Sequence, residues 1–71
     1  MSYASLSTVL ENRYGVGALA ADPTTILWAW AVLAQDKGEG VADKELSALN
    51  RRRNKVGKMP AYKPYGYTAA L

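Results

Sequence analysis

The chain contains no cysteine, no histidine and no phenylalanine. Without cysteine no disulfide can staple the fold, and without cysteine or histidine no structural zinc site can form. The missing histidine also removes the commonest general acid–base, and it leaves the serines with no imidazole to activate them. Long apolar runs are scarce as well. The longest, residues 26–34, is far short of the roughly 20 residues that a bilayer-spanning helix requires. Asp22 and Pro23 bar its extension backward. The first basic residue is Arg13 and no basic start leads into an apolar block, so neither a signal peptide nor a membrane span is expected.

What remains is an ordered composition in a small frame. Of 71 residues, 49% are apolar and 21% charged, which is close to globular averages and opposes wholesale disorder. One domain is the ceiling at this length. Such a chain buries only about 60% of its unfolded surface, and a single core supplies about 3–5 kcal/mol. Stability must come from a tight helical core or from a partner.

The formal charge of +3 conceals an asymmetry. All six acids, Glu11, Asp22, Asp36, Glu39, Asp43 and Glu45, lie in residues 1–45 with three basic side chains, a net −3. Residues 46–71 carry Arg51, Arg52, Arg53, Lys55, Lys58 and Lys63 and no acid, a net +6. A basic end of this density suits nucleic acid or an acidic protein face.

Three helices are expected in residues 1–57, at about 4–14, 23–36 and 42–55. In the first, Leu6, Val9, Leu10 and Arg13 or Tyr14 recur at helical spacing. Thr8 with Glu11, or else Ser5 or Ser7, supplies its cap, and Gly15 and Gly17 end it. The second begins at Asp22-Pro23, an acceptor that caps the backbone N–H groups followed by a residue suited to the first turn. Ile26, Trp30 and Leu33 share one side of it while Trp28 and Val32 lie roughly opposite, so the helix is apolar all round. One tryptophan is expected in the core. The other lies under the C-terminal tail or faces a partner, a residue type that often anchors interfaces.

Residues 37–40 read as a loop. The third helix follows, with acids in its first turn and arginines in its last, matching the helix dipole. Ala42, Leu46, Leu49 and Val56 form its apolar stripe, which Arg53 interrupts with a stem that packs and a head that reaches water. Residues 58–71 form an extended arm, because Pro60 and Pro64 oppose helix. Tyr62, Tyr65, Tyr67 and Leu71 make it more apolar than a free tail needs, so it is expected to lie on its own bundle or on a neighbouring chain.

Catalytic, metal and cofactor sites are not expected: the acids sit where capping explains them, and Gly15-Val16-Gly17 and Gly38-Glu39-Gly40 are only fragments of phosphate-binding loops. The fold class is therefore all-α, a small three-helix domain with an extended C-terminal arm. The expected role is that of a structural or adaptor subunit in an assembly or homo-oligomer, a minor virion component being one form of such a body plan. Trp28, Trp30, Tyr62, Tyr65, Tyr67 and Leu71 are its expected protein contacts.

The second reading is a nucleic-acid-binding protein in which Arg51, Arg52, Arg53, Lys55, Lys58 and Lys63 meet phosphates while tyrosines stack on bases. A helix-turn-helix reader is disfavoured on two grounds. The third helix opens with carboxylates where bases would be read, and residues 37–41 look longer than the usual turn.

Overall fold

The computed structural model describes residues 3–67. Helix α1 runs Leu6–Val9 and continues as a π turn over Leu10–Tyr14. Helix α2 spans Pro23–Lys37 and α3 spans Glu39–Lys55. No strand occurs among the described residues. The protein is an all-α domain of three helices.

Each boundary has a local cause. The Ser5 hydroxyl accepts from the Thr8 N–H at 3.2 Å, so Ser5 rather than Ser7 or Thr8 caps α1. Gly15, at φ 67°, ends the π turn by donating its N–H to the Leu10 carbonyl. Asp22 caps α2 through a 2.7 Å bond from the Thr25 N–H, with Pro23 in the first turn. At the end of α3 the Gly57 N–H reaches the Asn54 carbonyl and the Lys58 N–H the Arg53 carbonyl. With Gly57 at φ 73°, this is a Schellman closure.

The connection between α2 and α3 departs from expectation. Residues 37–40 are not a loop: Gly38 alone separates the two helices. Its φ of 99° and ψ of 153° lie in a region that only glycine visits at little cost, and this one residue turns the chain. Glu39, Gly40 and Val41 are then free to form the first turn of α3, with the Ala42 N–H bonded to the Gly38 carbonyl at 3.2 Å. A helix-turn-helix connection is thus disfavoured because the link is too short, not because it is too long.

Helix α2 supplies the centre of the core. Ile26, Ala29, Trp30, Ala31, Val32, Leu33 and Ala34 are all buried on it. Leu6, Val9 and Leu10 cover it from α1 and the start of the π turn, and Ala42, Leu46 and Leu49 from α3. Val56, expected in the α3 stripe, is instead exposed, because the helix ends at Lys55 before the stripe returns to the core.

The arm folds back onto the body. Its residue Ala61 is fully buried and belongs to the same core. The Cα radius of gyration is 11.0 Å, matching the roughly 11 Å expected for a compact chain of this size.

Candidate functional site

Two features organise the C-terminal half: a set of polar clasps that seats the arm, and the basic, aromatic edge left facing outward. The clasps come from one flank of α3. Arg53, Asn50 and Asp43 engage Met59, Ala61 and Lys63 respectively, so the arm runs back along the helix in the opposite direction.

Arg53 is the deepest of them. Only 3% exposed, it donates from Nε to the Met59 carbonyl at 2.8 Å. Its Nη1 reaches the carbonyls of Ala18 at 3.2 Å, Leu19 at 3.4 Å and Ala21 at 2.9 Å. These carbonyls belong to the turn between the π segment and α2, so one guanidinium ties α3, that turn and the arm together. Arginine suits this task because its fork of fixed donors reaches acceptors on two sides at once.

The expectation that Arg53 would meet an anionic partner with its head in water is therefore overturned. Its head turns inward because the turn's carbonyls would otherwise be buried without donors. Arg53 also acts on Asp22, whose carboxyl is held below its ordinary value. The Thr25 backbone N–H is the main cause, with the Thr25 hydroxyl, the Thr24 N–H and the Arg53 charge adding to it against burial.

Asn50 makes a two-point contact with the arm. Its Nδ2 donates to the Ala61 carbonyl at 2.8 Å and its Oδ1 accepts from the Ala61 N–H at 2.9 Å. A carboxamide presents one donor and one acceptor side by side, as a neighbouring strand would, and so satisfies a buried residue that has no secondary structure of its own.

Asp43 joins three elements. Its Oδ1 accepts from Lys63 Nζ at 2.6 Å and from Trp30 Nε1 at 3.0 Å. The same ammonium lies 4.5 Å from the centre of the Trp30 ring, and Tyr67 stands 5.4 Å from that ring at a tilt of 51°. The Tyr67 hydroxyl donates to the Leu27 carbonyl at 3.1 Å. The Lys63 ammonium holds the Asp43 carboxyl below its ordinary value; burial opposes this and the Trp30 N–H assists it.

These contacts redistribute the expected interface residues. Trp30 is fully buried and serves the core, because it faces α3 and the arm from the middle of α2. Tyr67 packs against the core and Lys63 is spent on Asp43 and Trp30, so neither is a free surface group. Trp28, Tyr62 and Tyr65 are exposed, the last at the tip of a turn closed by the Tyr67 N–H to Pro64 carbonyl bond. Leu71 lies outside the described residues. Of the six basic residues of this end, Arg51, Arg52, Lys55 and Lys58 are exposed.

Sequence reasoning missed Asn50 and Asp43 as clasps and Gly38 as a corner. Only Gly38 left a signal, being a glycine between two helical patterns.

Four of the six acids are engaged structurally. Beyond Asp22 and Asp43, Asp36 accepts from the Tyr3 N–H at 2.8 Å and Glu45 from the Leu6 N–H at 3.2 Å, tying the N-terminal segment to α2 and α3. Among the described residues no three carboxylates cluster to hold a metal, and no helix is long and apolar enough to cross a membrane. Compared with known proteins, the chain matches no family model, no curated protein and no solved structure.

Proposed function

We propose that this protein is a small, non-enzymatic structural or adaptor subunit that docks onto protein neighbours within a larger assembly, of which a virion is one example. The observation that carries the reading is Trp28. It is 53% exposed on a helix whose other large apolar side chains are buried or half-buried, and the Tyr14 ring lies 6.3 Å from it. Two neighbouring aromatics at a surface offer large contact area with little side-chain freedom to lose, as interface anchors do.

The arm adds to this. Its clasps hold the Ala61 backbone and the Lys63 side chain on either side of Tyr62, so the exposed ring is presented without the ordering cost that a loose arm would meet on docking. The lack of histidine and cysteine, together with four of the six acids occupied by backbone N–H groups, an indole and a lysine, supports a role without catalysis.

The test is isolation of the native complex from source cells at moderate salt. The wild-type chain is expected in a particle much larger than 7.7 kDa, and Trp28→Ala is expected to release it while leaving its circular dichroism unchanged. A chain found alone, or a complex indifferent to Trp28, would overturn the proposal.

A further inference from the structure

Beside the seated arm, α3 carries a polar stripe. Ser47, Asn50, Arg51 and Asn54 follow one another at helical spacing on the flank where the arm lies, and Tyr62 stands over them from the arm. Together they line an open groove of about 400 Å³. Its chemistry is specific: one guanidinium, amide and hydroxyl hydrogen-bonding groups, one phenol ring and no carboxylate.

The groove is also preformed. Asn50 lines it and spends its carboxamide on Ala61, which fixes the backbone immediately before Tyr62. The Tyr62 ring is nevertheless 74% exposed. Arg51 has no hydrogen-bond or ion-pair partner among the described residues, and Lys55 and Lys58 are exposed further along the chain.

We infer that this groove binds a single-stranded nucleic-acid segment. One base stacks on the Tyr62 ring with its edge toward Ser47 and Asn54. Its phosphate is held by Arg51, and Lys55, one turn further along the same side of α3, follows the rest of the backbone with Lys58. An aromatic platform beside a basic track is how strands with unpaired bases are held, because every base offers a π face and every phosphate a charge.

A duplex does not fit this chemistry. Its bases are already stacked and give Tyr62 no face to cover. Nor can α3 enter a major groove by its N-terminal end, where Glu39 and Asp43 would meet phosphate. An acidic protein would satisfy these cations but would leave the Tyr62 ring without a base to stack on.

The groove shares Tyr62 with the proposed docking surface but not Trp28, on which the test of that reading rests, so each can fail without the other. The experiment is fluorescence anisotropy of the full chain with three labelled probes: a 12-nucleotide single strand of mixed sequence, the matching duplex, and a polyglutamate peptide of equal charge. The single strand is expected to bind best, with log affinity falling linearly as log salt rises.

Tyr62→Ala should weaken single-strand binding about tenfold, and Tyr62→Phe should retain it, since stacking needs the ring and not the hydroxyl. Arg51→Gln should weaken binding and flatten the salt slope. Circular dichroism controls for folding, and neither residue holds the arm. Three results would each overturn the inference: preference for the duplex or the peptide, no binding of the single strand at low salt, or a Tyr62→Ala variant that binds as the wild type does.

Discussion

The guanidinium of Arg53 donates to the main-chain carbonyl of Ala21 at 2.9 Å, joining the last turn of α3 to the residue just before the α2 cap. The same side chain reaches Ala18 and Leu19 in the intervening turn and Met59 on the arm. A charge is thus buried on carbonyl dipoles, at a point where three separate segments meet.

Removing that side chain leaves the buried carbonyls of Ala18 and Ala21 without its donors. Arg53→Ala is expected to cost about 3–5 kcal/mol, from about 1–3 kcal/mol for each buried carbonyl left unpaired together with the lost packing of the stem. At about 4–8 °C per kcal/mol for a small domain, the melting temperature should fall by more than about 12 °C. Arg53→Lys keeps the charge but loses the fork, so it should recover only part of the loss. Thermal melts of the two variants check both the magnitude and the order.

Asn50→Ala removes the donor and the acceptor that satisfy Ala61, whose backbone is then buried without partners. A cost of about 1–3 kcal/mol is expected. The arm should loosen before the body does. Faster exchange of the Ala61 amide, with trypsin cleavage after Lys58 ahead of cleavage within α3, would register that order.

Acid should weaken the fold through Asp43 and Asp22. Both carboxyls titrate below their ordinary value of 3.8 in the folded chain, Asp43 chiefly through Lys63 and Asp22 chiefly through the Thr25 N–H. The unfolded chain therefore binds more protons as pH drops through the ordinary carboxylate range. Stability is fully present above that range and is lost as pH falls through the depressed values. Asp43→Asn should lower the melting temperature at neutral pH and make its decline between pH 5 and pH 3 shallower. An unchanged slope would place the acid sensitivity elsewhere.

Gly38→Ala isolates a backbone effect. A Cβ at this position would meet nothing within 4 Å, so any loss comes from the φ of 99° and not from crowding. A cost of about 1–3 kcal/mol is expected. Gly40→Ala, inside the first turn of α3 where a Cβ also meets nothing within 4 Å, should instead be neutral or slightly stabilising. Denaturant midpoints of the pair separate the two cases.

The tryptophans should divide in the same way. Trp30→Ala empties the centre of the core and is expected to cost about 3–5 kcal/mol. Trp28→Ala removes a side chain that is half in solvent already, and the fold should lose less than about 1 kcal/mol. Acrylamide should quench the fluorescence of a Trp30→Phe variant, which retains only Trp28, far more than that of a Trp28→Phe variant.

Much of the fold was legible in the sequence because its signals are local. Asp22-Pro23, Gly15 and Gly57 each act through backbone groups a few residues away, and the helical recurrence of Leu6, Val9 and Leu10 or of Ala42, Leu46 and Leu49 depends only on the pitch of a helix. So the all-α class, the helix order and the division into an acidic body and a basic end follow from the chain alone. Which tryptophan is buried does not follow, since α2 is apolar on every side and the choice depends on where α3 and the arm cover it.

Tertiary structure alone decided the fates of the charged and polar side chains. Arg53 directly follows two other arginines, yet only Arg51 and Arg52 remain outward, because the carbonyls of a turn more than 30 residues earlier in the chain come to lie beneath Arg53. Asn50 and Asp43 likewise acquire their roles only when residues 59–63 return along α3. A long-range hydrogen bond needs both partners in place, and nothing in the local sequence records the second. The sequence determined that a basic, tyrosine-bearing end exists. Packing decided that Lys63, Tyr67 and Arg53 hold it in place while Arg51, Tyr62 and Tyr65 face outward.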